Sequence, residues 1–294
     1  MASLHSRIFT LLLRLINKKS FLRRQLKKGR FNRFDCPEPP SSLFGRVIKK
    51  QLEGRNVFTL LPHTEPLNGK HVLYLHGGAY VQCFTLPHWY FLADIVKTTG
   101  VAITAPDYPL APAHTYREAF NVVEKIYLQL VGLYGPAAII LMGDSAGGGF
   151  ALALAQKLKE DQLPLPGQVI LLSPWLDISL KNPAIEQIAP TDPFLDKESL
   201  QTAGELYAGG TNPEHYQLSP INGTLEGLGK ITVFAGSNEI LAADARKLKA
   251  MALEKGTGLD YYEYPEMVHT WMLLNFPESK KARQQIVQLL RGHA

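Results

Sequence analysis

Cysteine is nearly absent, with Cys36 and Cys83 the only two in 294 residues. Two thiols cannot make the disulfide framework of a small secreted domain, so a reduced, cytoplasmic setting is the simpler expectation. Neither thiol has the spaced cysteine or histidine neighbours of a zinc site, and no metal or organic cofactor is expected. Long apolar runs are also missing. The nearest candidate, Ile8 to Leu13, is interrupted by Arg14 and closed by Asn17-Lys18-Lys19. That is far short of the roughly 20 residues needed to span a bilayer, and no small-residue cleavage site follows it. Internal repeats and low-complexity tracts are lacking as well.

Acidic residues are missing from one region only. Residues 1–34 hold ten basic side chains and no carboxylate; setting those ten aside, the rest of the chain carries 21 basic against 26 acidic side chains. The net charge of +5 is therefore a property of the N-terminal segment, and the body is mildly acidic. A nucleic-acid-binding body would need a basic face, so that class is excluded. Within the basic segment Leu4, Ile8, Leu11, Leu12 and Leu15 recur at helical spacing, with Arg7, Arg14 and Lys18 off the stripe. A second helix is predicted from Phe21 to Lys28. Amphipathic helices usually bury their stripe on their own protein, so packing on the body is favoured over lying on an anionic membrane. Cys36-Pro37-Glu38-Pro39-Pro40 then reads as a linker.

What is present is an ordinary globular composition, 46% hydrophobic and 19% charged. Arg46–Leu52 and Val57–Leu61 read as a hairpin around Glu53-Gly54-Arg55-Asn56. Buried-strand patterns follow at Lys70–Leu75, Val101–Ala105, Ala138–Met142, Val169–Ser173, Ile231–Ala235 and Tyr261–Tyr264. Helical patterns lie between most of them, at His88–Thr99, Tyr116–Leu133 and Ala242–Lys255, with Ser279–Arg291 last. Apolar strands alternating with helices predict a mostly parallel sheet covered on both faces. Residues between Trp175 and about Gly229 break the alternation, with one helix candidate near Glu198–Tyr207, which suggests a functional insertion.

The most informative stretch is Gly143-Asp144-Ser145-Ala146-Gly147, which joins a buried strand to a helix. A serine on such a turn projects its oxygen from the strand end, and flanking side chains would collide with nearby backbone. Ser145 is the candidate nucleophile. His269, just past the last strand, is the candidate base; His215 in the insertion and His293 in the C-terminal tail are weaker placements. Glu239, in the loop after Ile231–Ala235, is the candidate acid, ahead of Asp244 one turn into the next helix. His76-Gly77-Gly78-Ala79-Tyr80 directly follows a strand, and its glycines can present amides to a ligand. The backbone N–H groups of Gly77, Gly78 and Ala146 are the expected oxyanion hole, with His76 bracing the loop.

These motifs, in this order, resemble those of hormone-sensitive-lipase-like (family IV) carboxylesterases of the α/β-hydrolase superfamily. Asp107-Tyr108-Pro109-Leu110-Ala111-Pro112 is a further match, to the family's Tyr-Arg-Leu-Ala-Pro block. The resemblance implies an α/β-hydrolase fold over residues 1–294, with a mostly parallel twisted sheet of about eight strands, helices on both faces and a helical cap. Residues 1–40 would form N-terminal cap helices and 175–229 a cap insertion. Three residues depart from the pattern: Ala79 stands for a third glycine, Glu239 for the usual aspartate and Pro109 for the usual arginine. The expected activity is serine-dependent hydrolysis of small-molecule, short-chain acyl esters, with a homo-oligomer left open. An amidase, formamidase or deacetylase would share the chemistry. A non-catalytic ligand receptor on this scaffold would usually lack a triad member, and here all three are present.

Overall fold

The computed structural model describes residues 2–29, 37–63 and 69–292. Cys36, His293 and two of the ten N-terminal basic residues, Arg30 and Arg33, lie outside them. The chain opens with helices α1 (Leu4–Leu15) and α2 (Ser20–Lys28) and the hairpin β1 (Arg46–Leu52) and β2 (Arg55–Leu61). Glu53 and Gly54 make the hairpin turn with φ of 50° and 73°, the left-handed pair that matches the twist of the flanking strands.

Strands and helices then alternate: β3 (His71–Leu75), α3 (Leu86–Thr99), β4 (Ala102–Pro106), α4 (Tyr116–Tyr134), β5 (Ile139–Asp144), α5 (Ala146–Glu160) and β6 (Gln168–Leu172). The insertion contributes α6 (Ile185–Ile188) and α7 (Lys197–Ala208). The chain closes with β7 (Lys230–Gly236), α8 (Ala242–Glu254), β8 (Leu259–Tyr264) and α9 (Pro277–Arg291).

The strands form one eight-stranded sheet in the order β1-β2-β4-β3-β5-β6-β7-β8. β2 runs antiparallel to both neighbours, and the pairs from β4 to β8 are parallel. Successive residues on the central strands serve different cores, as the two-residue period of a strand requires. Leu73, Leu141, Leu171 and Val233 join one core with residues of α4, α5 and α8. Val72, Tyr74, Met142, Leu172 and Phe234 join the other with residues of α3 and α9. Burial on both faces is why these strands are uniformly apolar in sequence.

From β3 the chain crosses to β4 on one side and then returns to β5 on the other. This reversal opens a crevice at the carboxyl ends of β3 and β5, where ligands bind in such sheets. The loop His76–Tyr80 leaves β3 there, and Ser145 leaves β5.

One expectation is corrected. The apolar stripe of α1 does not face the body: Leu4, Ile8, Leu11, Leu12 and Leu15 are all at least half exposed. The packed side is the opposite one, where Ser6 and Leu13 are buried and Phe9 meets Phe276 edge-on at 5.2 Å. Helical spacing locates a stripe, but it does not say which stripe the body covers. Helix α2 sits on the insertion. Lys19 Nζ donates to Ala189 O at 2.6 Å, and Arg23 pairs with Asp196 at 2.8 Å and Glu198 at 2.9 Å. Gln82 in the loop after β3 donates to Gln25 of α2 at 2.5 Å.

Candidate active site

Strand β5 is buried along its length and ends at Asp144; α5 begins two residues later. Ser145 bridges them at φ 54°, ψ −121°, a conformation an L-residue holds only where its surroundings enforce it. The enforcement is visible on both sides. A Cβ on Gly147 would lie 2.0 Å from Leu75 O, and one on Gly143 2.3 Å from Gly147 O. Neither position admits a side chain, so the first turn of α5 can press against the end of β3. This close approach holds Ser145 at the crevice.

The structure brings Ser145, His269 and Glu239 together. Ser145 Oγ lies 2.8 Å from His269 Nε2. On the far side of the ring His269 Nδ1 is bonded to Glu239 Oε2. Glu239 is fully buried. Its other oxygen, Oε1, accepts from Ser173 Oγ at 2.8 Å and Gly236 N at 2.7 Å. Ser173 in turn receives the Thr270 amide at 3.2 Å, which ties the histidine loop to the acid. His215 lies on the insertion, where its ring stacks on Tyr216.

Asp244 is elsewhere. It is buried in the first turn of α8 and accepts from Asn182 Nδ2 at 2.9 Å, while its Oδ2 has no hydrogen-bond partner among the described residues. Burial, reinforced by the nearby Asp177 charge and opposed by the Asn182 bond, raises its pKa to about 6. A carboxyl raised in the folded state stabilises the fold fully below its ordinary value, and that stability is lost as pH climbs through about 6. Asp244→Asn keeps the Asn182 acceptor and removes the ionisation. It should stabilise the protein by about 1–3 kcal/mol at pH 8, with the gain fading towards pH 4. Melting curves across that range check it; a pH-independent effect would show that ionisation of Asp244 is not what costs stability.

The loop after β3 corrects a second expectation. The Gly77 amide donates to Asp144 Oδ1 at 2.9 Å, and Gly77 does not line the crevice. It is therefore spent as a donor. The reason is that buried Asp144 needs partners, and Tyr74 Oη at 2.6 Å and His88 Nε2 at 3.4 Å complete its set. Burial alone would raise the Asp144 pKa, but His88, Tyr74 and the Gly77 amide outweigh it and hold it below the usual carboxylate value. A Cβ on Gly77 would sit 2.3 Å from the same carboxylate. Gly78 and Ala79 do line the crevice. Among the described residues neither amide donates to a protein acceptor. Gly78 holds φ 127° and Ala79 φ 53°, so both stand in left-handed space that turns the loop towards Ser145. Ala146 is the first residue of α5, where an N–H has no acceptor within the helix.

His76 braces this loop, as its sequence context suggests. Its Nδ1 bonds Gly77 O at 2.7 Å, its ring stacks on Tyr108 at 4.3 Å, and its carbonyl accepts from Tyr108 Oη at 2.6 Å. Burial lowers its pKa to about 3, so the ring stays neutral. The Tyr108–Pro109 block lacks its arginine but has another guanidinium beside it. Arg55 of β2 pairs with the Asp107 carboxylate at 3.0 Å and donates to the carbonyls of Asp107 at 2.8 Å and Tyr108 at 3.3 Å.

Sequence reasoning missed Asp192. It is buried and accepts the amides of Phe194 at 2.7 Å, Leu195 at 2.9 Å and Ile240 at 2.9 Å. It thereby fixes the insertion to the residue after Glu239. Burial raises its pKa despite those three amides and the neighbouring His269. The turn-initiating Asp192-Pro193 pair was the available signal.

Above Ser145 the crevice is a pocket of about 460 Å³. Its lining comes from the loops just described, from Lys18 and Lys19 just before α2 and Phe21 and Leu22 at its start, from Phe194 to Asp196 and Leu200 in the insertion, and from Leu273 and Leu274. Lys18 Nζ lies 4.1 Å from the centre of the Phe21 ring and 5.1 Å from that of Phe194.

Comparison with known proteins agrees with this fold. The family described as "alpha/beta hydrolase fold" matches residues 72–273. An acetyl-hydrolase of Streptomyces hygroscopicus is 33% identical over 227 residues, covering 76% of each chain. An esterase of Acinetobacter venetianus is 32% identical over 221 residues, covering 74% of this chain and 73% of its own. Among solved structures, an esterase from the bacterial hormone-sensitive lipase family superposes with TM-score 0.84 at 27% identity, covering 100% of this chain and 99% of its own. An esterase/lipase from an uncultured bacterium gives 0.78 at 28%, covering 84% of each. The chain belongs to the α/β hydrolase fold family, in its hormone-sensitive-lipase-like carboxylesterase branch.

Proposed function

We propose that this ester hydrolase acts on short-chain acyl esters through an acyl-enzyme on Ser145. The observation that carries the reading is the relay Ser145–His269–Glu239 at the floor of the 460 Å³ pocket. Ser145 Oγ attacks the ester carbonyl carbon as His269 Nε2 takes its proton. The tetrahedral oxyanion is held by the amides of Gly78, Ala79 and Ala146. Its collapse expels the alcohol, which leaves with the proton returned by His269. Water then attacks the acyl-enzyme with His269 again as base, releasing the carboxylic acid and free Ser145. The Glu239 carboxylate fixes the ring so that Nε2 is the acceptor, and balances the imidazolium that forms.

The start of α2 with the two lysines before it, and the insertion, act as a two-part cap. Both line the pocket and are joined by Lys19–Ala189 and Arg23–Asp196. An apolar pocket closed by side chains from two separate cap segments suits a short acyl group. The acetyl-hydrolase name of the Streptomyces relative favours acetyl among these. A series of p-nitrophenyl esters tests this. kcat/KM should peak between acetyl and hexanoyl and fall by about tenfold or more by dodecanoyl, since surplus methylenes must leave the pocket. A maximum at dodecanoyl would remove the short-chain assignment and leave the serine mechanism standing.

A further inference from the structure

Six of the eleven large hydrophobic side chains that stand exposed among the described residues fall within thirteen consecutive positions: Leu4, Ile8, Leu11, Leu12, Leu15 and Ile16. They range from 50% exposed at Ile8 to 71% at Leu4 and Leu15. All but Ile16 lie on α1 itself, along the side opposite the one that buries Ser6 and Leu13. A continuous apolar ridge of this kind is uncommon on a soluble surface and marks a place where something apolar binds.

The charges around it say what. Residues 1–34 contain ten basic side chains and no acidic one, in a chain whose remainder is net acidic. Arg7 is tied to Glu266, and Arg23 to Asp196 and Glu198. Arg24, Lys27 and Lys28 on α2 are exposed and form no ion pair among the described residues. An apolar ridge with a cationic neighbourhood is complementary to a bilayer surface bearing anionic headgroups, with the ridge at acyl depth and the cations at the phosphates. A second copy of the chain fits less well, because pairing two such faces would bring two basic segments together.

We propose that α1 is an interfacial anchor that seats the protein on anionic membrane surfaces. The anchor also bears on the pocket. Three residues beyond α1 the chain reaches Lys18 and Lys19, which with Phe21 and Leu22 form part of the pocket wall above Ser145. A seated helix therefore places an entrance wall of the pocket next to the lipid, where ester-bearing amphiphiles are concentrated. The anchor itself does not depend on the catalytic reading, because its readout is binding.

The test is co-sedimentation of the full chain with vesicles of equimolar phosphatidylglycerol and phosphatidylcholine, against vesicles of phosphatidylcholine alone. The wild type should sediment with the anionic vesicles at low ionic strength, release at about 0.5 M salt, where charges are screened over a few ångströms, and ignore the zwitterionic vesicles. The combined substitution Ile8→Asp, Leu12→Asp and Leu15→Asp alters exposed side chains. It should weaken partitioning by at least tenfold while p-nitrophenyl acetate turnover in free solution stays at the wild-type level. The same three positions changed to Ser give a milder set should the aspartates disturb the helix, and should show the same direction. Three outcomes would overturn the anchor: wild type that leaves anionic vesicles unbound, a variant that partitions like wild type, or sedimentation velocity showing a dimer that the substitutions dissolve with no vesicle binding in either form.

Discussion

Glu239→Gln should lower kcat by about 10⁴-fold on p-nitrophenyl butyrate with the fold intact, the size of loss seen when a triad carboxylate becomes an amide. The surroundings decide which way the new amide points. Oε1 accepts from both Ser173 Oγ and the Gly236 amide, so the glutamine oxygen must occupy that place. Its NH₂ group then faces His269 Nδ1 as a donor. The ring can answer only by carrying its proton on Nε2, where it no longer accepts from Ser145. Volume and burial hardly change, so the loss should appear in kcat, with the melting temperature shifted by only a few degrees. Asp244→Asn is the control. Its carboxylate bonds Asn182, whereas the His269 ring bonds Glu239 and Ser145, so turnover should stay near the wild-type rate. If the two variants swapped behaviour, Asp244 would be the acid, and the fork at Ser173 and Gly236 would be a structural detail.

Parts of this arrangement were readable in the sequence because each depends on a local pattern. Buried parallel strands are apolar on both faces, so β3, β5, β6 and β7 stood out as short runs, and their observed bounds fall within a residue or two of the reading. The elbow at Ser145 needs glycine on both sides because backbone lies within 2.3 Å of where a Cβ would be. That demand is written in five letters. The placement of Glu239 and His269 in loops after later strands followed from the same logic.

What stayed hidden depends on contacts between distant segments. Gly77 reads as a donor because it follows a strand and precedes another glycine. Only the folded structure shows its amide committed to Asp144, 67 residues away, which moves the candidate donors one position along to Gly78 and Ala79. The periodicity of α1 locates a stripe without locating the body, and the covered side is the one carrying Ser6 and Leu13. Asp192 acts through three backbone amides, and backbone acceptors leave little trace in side-chain spacing. Arg55 stands 53 positions before the Tyr108 whose carbonyl it bonds, brought there because β2 pairs with β4.

The central claim is that Ser145 Oγ is the atom that attacks. Ser145→Ala deletes one oxygen from a position whose backbone, at φ 54°, is set by its neighbours rather than by its side chain. The Gly143 and Gly147 contacts, the Gly78–Ala79 loop and the pocket all remain. Without the oxygen there is no acyl-enzyme, and only pocket binding and the oxyanion donors can assist direct attack by water. The decisive measurement is p-nitrophenyl butyrate turnover by purified Ser145→Ala beside wild type, with intact-mass detection of the covalent adduct formed by diethyl p-nitrophenyl phosphate. Turnover should fall by about 10⁴-fold or more, the wild type should carry one phosphoryl adduct and the variant none, and both should melt together. Wild-type-like turnover in a folded Ser145→Ala, or an equal adduct on both proteins, would contradict the account.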